Sequence, residues 1–579
     1  MEHVRNGARE GRLPEIFFWG TALLLLFWAL GDRGLWGPEG RWAEITRQMF
    51  LRRDFFHPSI NSRPYFDKPL LTYWLVAAFS TLIGRLNEWS VRLPSAFSGM
   101  IGLGVTVYLG RRLWSREVGR IAGWMLLTTY GLLYWGRTGT ADMENLAFTL
   151  LAVAWYISRR DRLNFYAFLV FYLICFLGAQ TKGLTALAVP FLAVFPDLVR
   201  DRRWHSLFTP AHFLAFALGL SVYFVPFVYA EMTREGYREN GLFLVFRENI
   251  LRYVEPFDHV KPFYVYFYYV PAFFLPWAPL LLAAVPAMGI SFKNMDRNSR
   301  WLMEAAVLIF LFFTISGSRR SYYILPLLPF CALITSVFLC QEGNEKWKKA
   351  AFVLQGGLLV IVAAVEFLSP FLWPLVKEQK GFVPPDSLRI ALPVIGLLAF
   401  TPWVMARFAP NLFVSLTGTA GRRVLPYLLT GTVLMGGCFA WQQPSLEVYR
   451  TERSFLQGLN KQVIGPPARK VAFYKVVSPK ELFYLDYPGP VPILEGEKAV
   501  RDFLETGPEE KVLIVRNEWV EELRSLAPVS LRGKPTWRDD VLPWEPKGSG
   551  KWRGNLAAWK VRGELKEVQD EMVLSRHDD

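Results

Sequence analysis

The feature that most constrains this chain is a succession of apolar runs, each long enough to cross a bilayer as a helix rising about 1.5 Å per residue. Thirteen are legible, near 15–31, 92–110, 121–136, 143–157, 163–179, 183–199, 210–230, 262–288, 301–315, 322–340, 350–370, 388–406 and 424–441. Only helices and closed barrels satisfy every backbone group inside lipid, so the expected class is a multi-span α-helical membrane protein. The chain is 52% hydrophobic and 16% aromatic over 579 residues, too apolar for a soluble protein of this length. Its net charge is +15, but Lys and Arg sit in short clusters between apolar runs. That placement encodes topology and argues against nucleic acid as a partner. Cys175, Cys331, Cys340 and Cys438 lie within apolar runs without C-x-x-C spacing, so no zinc ribbon, redox motif or disulfide framework is expected. The basic start with Arg5, Arg9 and Arg12 precedes an apolar run that lacks a small-residue cleavage site, which reads as an uncleaved signal anchor.

One further run, PLLTYWLVAAFSTLIG at 69–84, is borderline in length. Charge decides its placement. Six connections are rich in Lys and Arg, around Arg111, Arg159, Arg200, Lys293, Lys346 and Arg422, and they alternate with poorer ones. By the positive-inside rule these lie in the cytoplasm with the N-terminus, which requires an even number of crossings before Arg111. The 69–84 run is therefore expected to lie flat at the interface. The loops 32–91, 137–142, 180–182, 231–261, 316–321 and 371–387 then face outward, with everything after 441. Composition shifts at about 442 to mixed sequence with strand-like KVAFYKV, VPIL and KVLIVR and helix-like EKAVRDFLETG and NEWVEELRSL. Two domains are expected: 1–441 in the membrane, carrying catalytic outer loops of which the first is 32–91, and a soluble α/β domain at 442–579. The charged tail after Lys560 is expected to fray.

The outer loops gather charge at membrane level, where charge is expensive. The first, GDRGLWGPEGRWAEITRQMFLRRDFFHPSINSRPYFDK, holds Glu39, Arg41, Glu44, Asp67 and Lys68, with Trp42, Ile45 and Met49 at helical spacing. RTGTADMEN places Asp142 and Glu144 at the mouth of two helices, and the bland reading of Asp142 is a helix cap. Lys182 occupies a turn of a few residues between spans, where it either snorkels or holds an anion. The loop to Lys261 carries His259, a lone histidine whose ordinary reading is a plain polar residue. Arg319 and Arg320 sit outside against the charge rule, followed by Tyr322 and Tyr323. Cations at membrane level suit a lipid-linked phosphate, and carboxylates beside them suit proton abstraction from an acceptor. The combination reads as group transfer from a phosphorylated lipid. The rival class is a transporter or flippase for a lipid-linked solute, but no internal repeat relates the halves.

The motifs EGRWAEITRQM, RPYFDKPLLTYWL, RLPSAFSGM, RTGTADM, TKGL, HVKPFYVY, LPWAPLL and SGSRRSYYILPLLP, in this order, resemble the membrane glycosyltransferases of the GT-C fold. The resemblance is closest to the lipid A aminoarabinose transferases and the protein O-mannosyltransferases. It implies about thirteen spans with juxtamembrane helices and a soluble outer domain, in a bacterial inner membrane. It also implies transfer of a sugar, with inversion, from a polyprenyl (undecaprenyl-type) phosphate to a lipid, glycan or protein acceptor among the surrounding membrane lipids. On this resemblance Arg41, Lys68 and Tyr323 bind the donor phosphate with help from Lys182 and Arg319, and Asp142 is the carboxylate needed for activity. Asp67 and His259 fall where a divalent metal, zinc, is proposed in relatives. The chain departs from the pattern at Pro38, where relatives often carry Asp ahead of Glu39, so the catalytic carboxylate falls to Glu39 or Asp142. Trp42 replaces the usual Tyr after Arg41.

Overall fold

The computed structural model describes residues 13–237, 241, 243, 246–247, 251, 253, 260–380, 384–408, 410–449, 452–463, 470–506, 510–526, 537–538 and 556–561, with backbone alone at 13, 376–380, 410–422, 448–449, 462–463, 517, 526, 537–538, 557 and 559–561. Each of the thirteen apolar runs forms a helix or two consecutive helical segments, from Leu13–Phe27 through Glu88–Leu113 to Pro410–Gly437. Eight stretches among the described residues are long and apolar enough to cross a membrane, the first Glu88–Leu113 and the last Arg423–Ser445. The chain is a multi-pass α-helical membrane protein.

The basic clusters meet at one end of the bundle. Arg111 bonds Glu15 at 2.6 Å, and Arg297 reaches Asp197 at 2.9 Å and Asp201 at 2.5 Å. Asp197 also accepts from the Tyr156 hydroxyl at 2.9 Å.

At the other end, the first loop folds into two short helices. Glu39–Arg52 buries its Trp42, Ile45 and Met49 side as the periodicity requires. Leu71–Ile83, the borderline run, has 13 residues. At about 1.5 Å per residue it reaches about 20 Å, too short for a hydrocarbon core about 30 Å thick. It buries Tyr73, Val76 and Ala77 while leaving Leu82 exposed, and Gly84 at φ +78° turns the chain into the next span.

The C-terminal segment forms a five-stranded sheet in the order Ile493–Leu494, Lys470–Tyr474, Lys511–Arg516, Leu556–Val561, Trp537–Arg538. The first three strands are parallel and the last two pairings antiparallel. KVAFY and KVLIVR are nearly continuous apolar runs because both sheet faces are covered. Ala472, Tyr474, Leu513 and Val515 point to one cluster with Val500, Leu504 and Leu523 from the covering helices. Val471, Phe473, Val512 and Ile514 point to the other, which contains Leu35, Ala43, Val76 and Val91 of the first loop and its neighbours. The expected strands and helices are present. The sheet is completed by two strands, Leu556–Val561 and Trp537–Arg538, and joined by a short helix, Pro479–Leu485, beyond those the sequence pattern predicts. Residues 562–579, most of the charged tail, lie outside the described residues, while Lys560 and Val561 close the Leu556–Val561 strand.

That shared core docks the sheet onto the helix carrying Arg41. Polar contacts reinforce it: Arg47 bonds Asp486 at 3.2 Å, and Asn61 exchanges bonds of 2.8 and 2.7 Å with the Val491 backbone. Tyr484 accepts from the Leu35 amide at 2.6 Å and donates to Glu88 at 2.9 Å. At Gly40 a Cβ would lie 2.5–2.7 Å from the Lys480 backbone and Cβ, so two helices meet where only glycine fits. Gly40→Ala is expected to cost about 1–3 kcal/mol through overpacking, read as a lower melting temperature of the purified protein.

Candidate functional site

Several of the segments that connect the spans converge on one cavity of about 580 Å³. Arg41 and Trp42 reach it from the first turn of Glu39–Arg52, and Asp67 and Lys68 from the loop before Leu71–Ile83. Asp142 opens the helix Asp142–Arg159, and Lys182 closes the helix Phe165–Lys182. An anion at a helix start and a cation at a helix end each suit the local backbone dipole. Arg320, Tyr322 and Tyr323 enter from the 3₁₀ turn Ser321–Leu327 and the residue before it. The lining also includes the apolar residues Leu184, Ala188, Phe312 and Phe313.

The side chains form two linked groups. Arg41 donates to the Asp67 carboxylate at 2.8 Å, and the Lys68 ammonium lies 3.7 Å from the same carboxylate. Burial works against the Arg41 charge, but Asp67, Tyr73 and Tyr65 together more than offset it, so the guanidinium stays protonated. Burial and Asp67 together push the Tyr65 phenol up, which keeps its hydroxyl a proton donor on the cavity wall. In the second group the Lys182 ammonium donates to Asp142 and stands 4.9 Å from the Tyr322 ring centroid and 4.7 Å from that of Tyr323. Arg320 donates to the Tyr322 hydroxyl at 2.5 Å. Among the described residues the cavity presents the cations Arg41, Lys68, Lys182 and Arg320 against the carboxylates Asp67 and Asp142.

Asp142 is not a helix cap: Ala141 holds the cap position and no side-chain bond closes it. Glu144, two residues further along the helix, is 1% exposed and does not line the cavity. Arg137, its sequence neighbour, bonds backbone carbonyls of Leu25 and Trp28, both at 2.7 Å, instead of either carboxylate.

The geometry places Glu39, one of the two candidate catalytic carboxylates, away from the cavity. Its side chain is fully buried and accepts four hydrogen bonds, from Arg92 at 2.7 and 2.9 Å, the Trp36 amide at 2.8 Å and the Gly139 amide at 2.7 Å. Burial alone would push its carboxyl up, but Arg92 beside it holds it below the ordinary carboxylate range. A carboxylate with its lone pairs engaged and no cavity surface cannot take a proton from an acceptor. Pro38 lines the cavity instead. Arg92, whose place in RLPSAFSGM carried no charge signal, is the missed residue. It is 1% exposed and also donates to the carbonyls of Leu30, Arg33 and Gly34 at 2.8, 2.6 and 2.8 Å. No spacing rule links an arginine in one span to a glutamate 53 residues earlier.

Arg319 is also placed differently from the expectation. Its guanidinium donates to the carbonyls of Thr314 at 3.0 Å and Lys261 at 2.5 Å and does not line the cavity, whereas Arg320 does. Of the suggested metal pair, His259 lies outside the described residues. The Asp67 carboxylate faces Arg41 and Lys68, surroundings that repel a divalent cation, and the described residues hold no cluster of three or more His, Cys, Asp and Glu.

Residues 67–229 match the family model described as dolichyl-phosphate-mannose-protein mannosyltransferase. The chain is 30% identical over 407 residues to the undecaprenyl phosphate-alpha-4-amino-4-deoxy-L-arabinose arabinosyl transferase of Aeromonas salmonicida, covering 67% of this chain and 70% of that one. The enzyme of the same name from Pseudomonas aeruginosa is 29% identical over 390 residues, covering 64% and 67%. The crystal structure of ArnT from Cupriavidus metallidurans bound to undecaprenyl phosphate superposes with a TM-score of 0.72 at 20% identity, over 94% of this chain and 97% of that one. The fold is therefore that of the GT-C enzymes. With the sequence match extending over two thirds of the Aeromonas relative, the chain belongs to the family of the undecaprenyl phosphate-aminoarabinose arabinosyl transferases and is a membrane glycosyltransferase.

Proposed function

We propose that this chain transfers a sugar from a polyprenyl phosphate to an acceptor at the outer face of a bacterial inner membrane, with its N-terminus in the cytoplasm and the C-terminal sheet outside. The carrying observation is a cavity lined by four cations, two carboxylates and several apolar side chains. A phosphate ester on an isoprenoid chain has the matching chemistry, its charge on the cations and its tail on the apolar side chains. Arg41, Lys68 and Lys182, with Tyr323 as hydroxyl donor, would hold the phosphate, and Arg320 lines the same cavity.

In the reaction the bond between the anomeric carbon and the phosphate oxygen breaks, and its electron pair stays on the phosphate. Fixed cations stabilise that charge as it develops. The acceptor oxygen or nitrogen attacks from the opposite side, which inverts the anomeric centre, and gives its proton to Asp142. The relatives' names point to aminoarabinose or mannose as the sugar, and a lipid, such as lipid A, a glycan or a protein would accept it.

The test is transfer of radiolabelled sugar from polyprenyl phosphates by the purified protein in liposomes. Movement of the lipid across the bilayer with no transfer to any acceptor would refute the proposal in favour of a flippase. Asp142→Asn is expected to lower kcat by about 10²–10⁴ without weakening the binding of undecaprenyl phosphate, measured by equilibrium binding.

A further inference from the structure

The geometry points to a second role for Lys182: it holds Asp142 out of use until a lipid phosphate draws its ammonium away, so that the base is released only when the donor is seated. The inference rests on the proposed donor and base. In this structure the Lys182 ammonium and the Asp142 carboxylate are bonded to each other. A carboxylate engaged by an ammonium is poorly disposed to accept a proton from an incoming hydroxyl or amine. The same ammonium is one of the cations that face the cavity, with Lys68 and Arg320 turned to the same space. Lys182 therefore has two competing anionic partners, a carboxylate on the protein and a phosphate on the lipid.

The surroundings allow the exchange. Lysine is a point charge on a flexible stem, able to swing between acceptors where an arginine fork would be fixed. The ammonium lies 4.9 and 4.7 Å from the Tyr322 and Tyr323 ring centroids, whose faces attract a cation at any point of a short excursion. Repulsion from Lys68 and Arg320 opposes its movement into the cavity, and a bound phosphate lifts that repulsion. As the sugar departs, negative charge on the phosphate grows and holds Lys182 more firmly. Asp142 is left to take the acceptor proton at the moment that proton is released. Lys182 is thus a positioning residue for Asp142 as well as a phosphate ligand.

A bilayer-permeant carbodiimide tests the exchange without turnover. It activates a carboxylate, and a touching amine then displaces the urea to form an amide. In full-length protein in nanodiscs, a Lys182–Asp142 cross-link is expected by peptide mass spectrometry. Saturating undecaprenyl phosphate should abolish it and let an added small amine label Asp142 instead. Undecaprenol, which has the tail but no phosphate, should change nothing. In Lys182→Gln, Asp142 should label equally with and without the lipid phosphate. A cross-link that persists with bound undecaprenyl phosphate overturns the inference, as does equal loss with undecaprenol or lipid-dependent labelling in Lys182→Gln. Failure of undecaprenyl phosphate to bind at all, measured separately with radiolabelled lipid, would instead overturn the proposed donor and this inference with it.

Discussion

Lys68→Ala is expected to lower sugar transfer by about 10²–10³ in kcat, the typical loss when one preorganised donor to a developing anion is removed. The ammonium stands at the cavity beside Asp67, whose carboxylate keeps its closer bond to Arg41 at 2.8 Å, so the fold around it has no reason to change. The expected signature is a lost kcat at an unaltered melting temperature. Lys68→Arg, which retains the charge, should recover part of the rate. Arg41→Ala should lose activity to a similar degree, because its guanidinium is the other cation on that side of the cavity. Near-normal turnover in both variants would remove these residues from the phosphate site.

The second large effect falls on Arg92. Removing one partner of a buried ion pair costs about 3–5 kcal/mol, because the other charge stays buried and uncompensated. Arg92→Ala would strand Glu39 and leave the carbonyls of Leu30, Arg33 and Gly34 without their donor. The expected result is a large drop in thermal stability of purified protein, with loss of activity following from displacement of the adjacent Arg41. Glu39→Gln should cost less, since an amide oxygen still accepts one bond from Arg92. Turnover that falls in Glu39→Gln at full stability would reinstate Glu39 as a catalytic group. The pH dependence has a definite sign. The Glu39 carboxyl is depressed in the folded state, so its stabilisation is complete above the ordinary carboxylate range and fades as pH falls through the lower folded value. Acid should therefore destabilise the wild type more than Glu39→Gln.

The architecture was readable because lipid permits so few solutions. A run of apolar residues at spanning length has to be a helix, and the 13 residues of Leu71–Ile83 are too few to cross. The sheet strands of the C-terminal segment were legible for a related reason, since strands covered on both faces must be apolar throughout. What could not be read was the company each charge keeps. Asp142 and Arg137 are near neighbours in sequence, yet Asp142 pairs with Lys182 from the next helix and Arg137 caps the end of Leu13–Phe27. Arg319 and Arg320 are adjacent, and the turn aims one at backbone carbonyls and the other at the cavity.

By itself, then, the sequence determined the helical spans and the gathering of cations and carboxylates in the segments between them. These follow from composition and spacing along one chain, where desolvation sets the rules. Only the tertiary structure decided that Glu39 is buried against Arg92 and that Pro38 faces the cavity. It also placed the C-terminal sheet against the helix that carries Arg41. Those outcomes depend on which charges fall within about 3 Å of one another after packing, and for residues 53 apart, as Glu39 and Arg92 are, no periodicity in the chain records that distance.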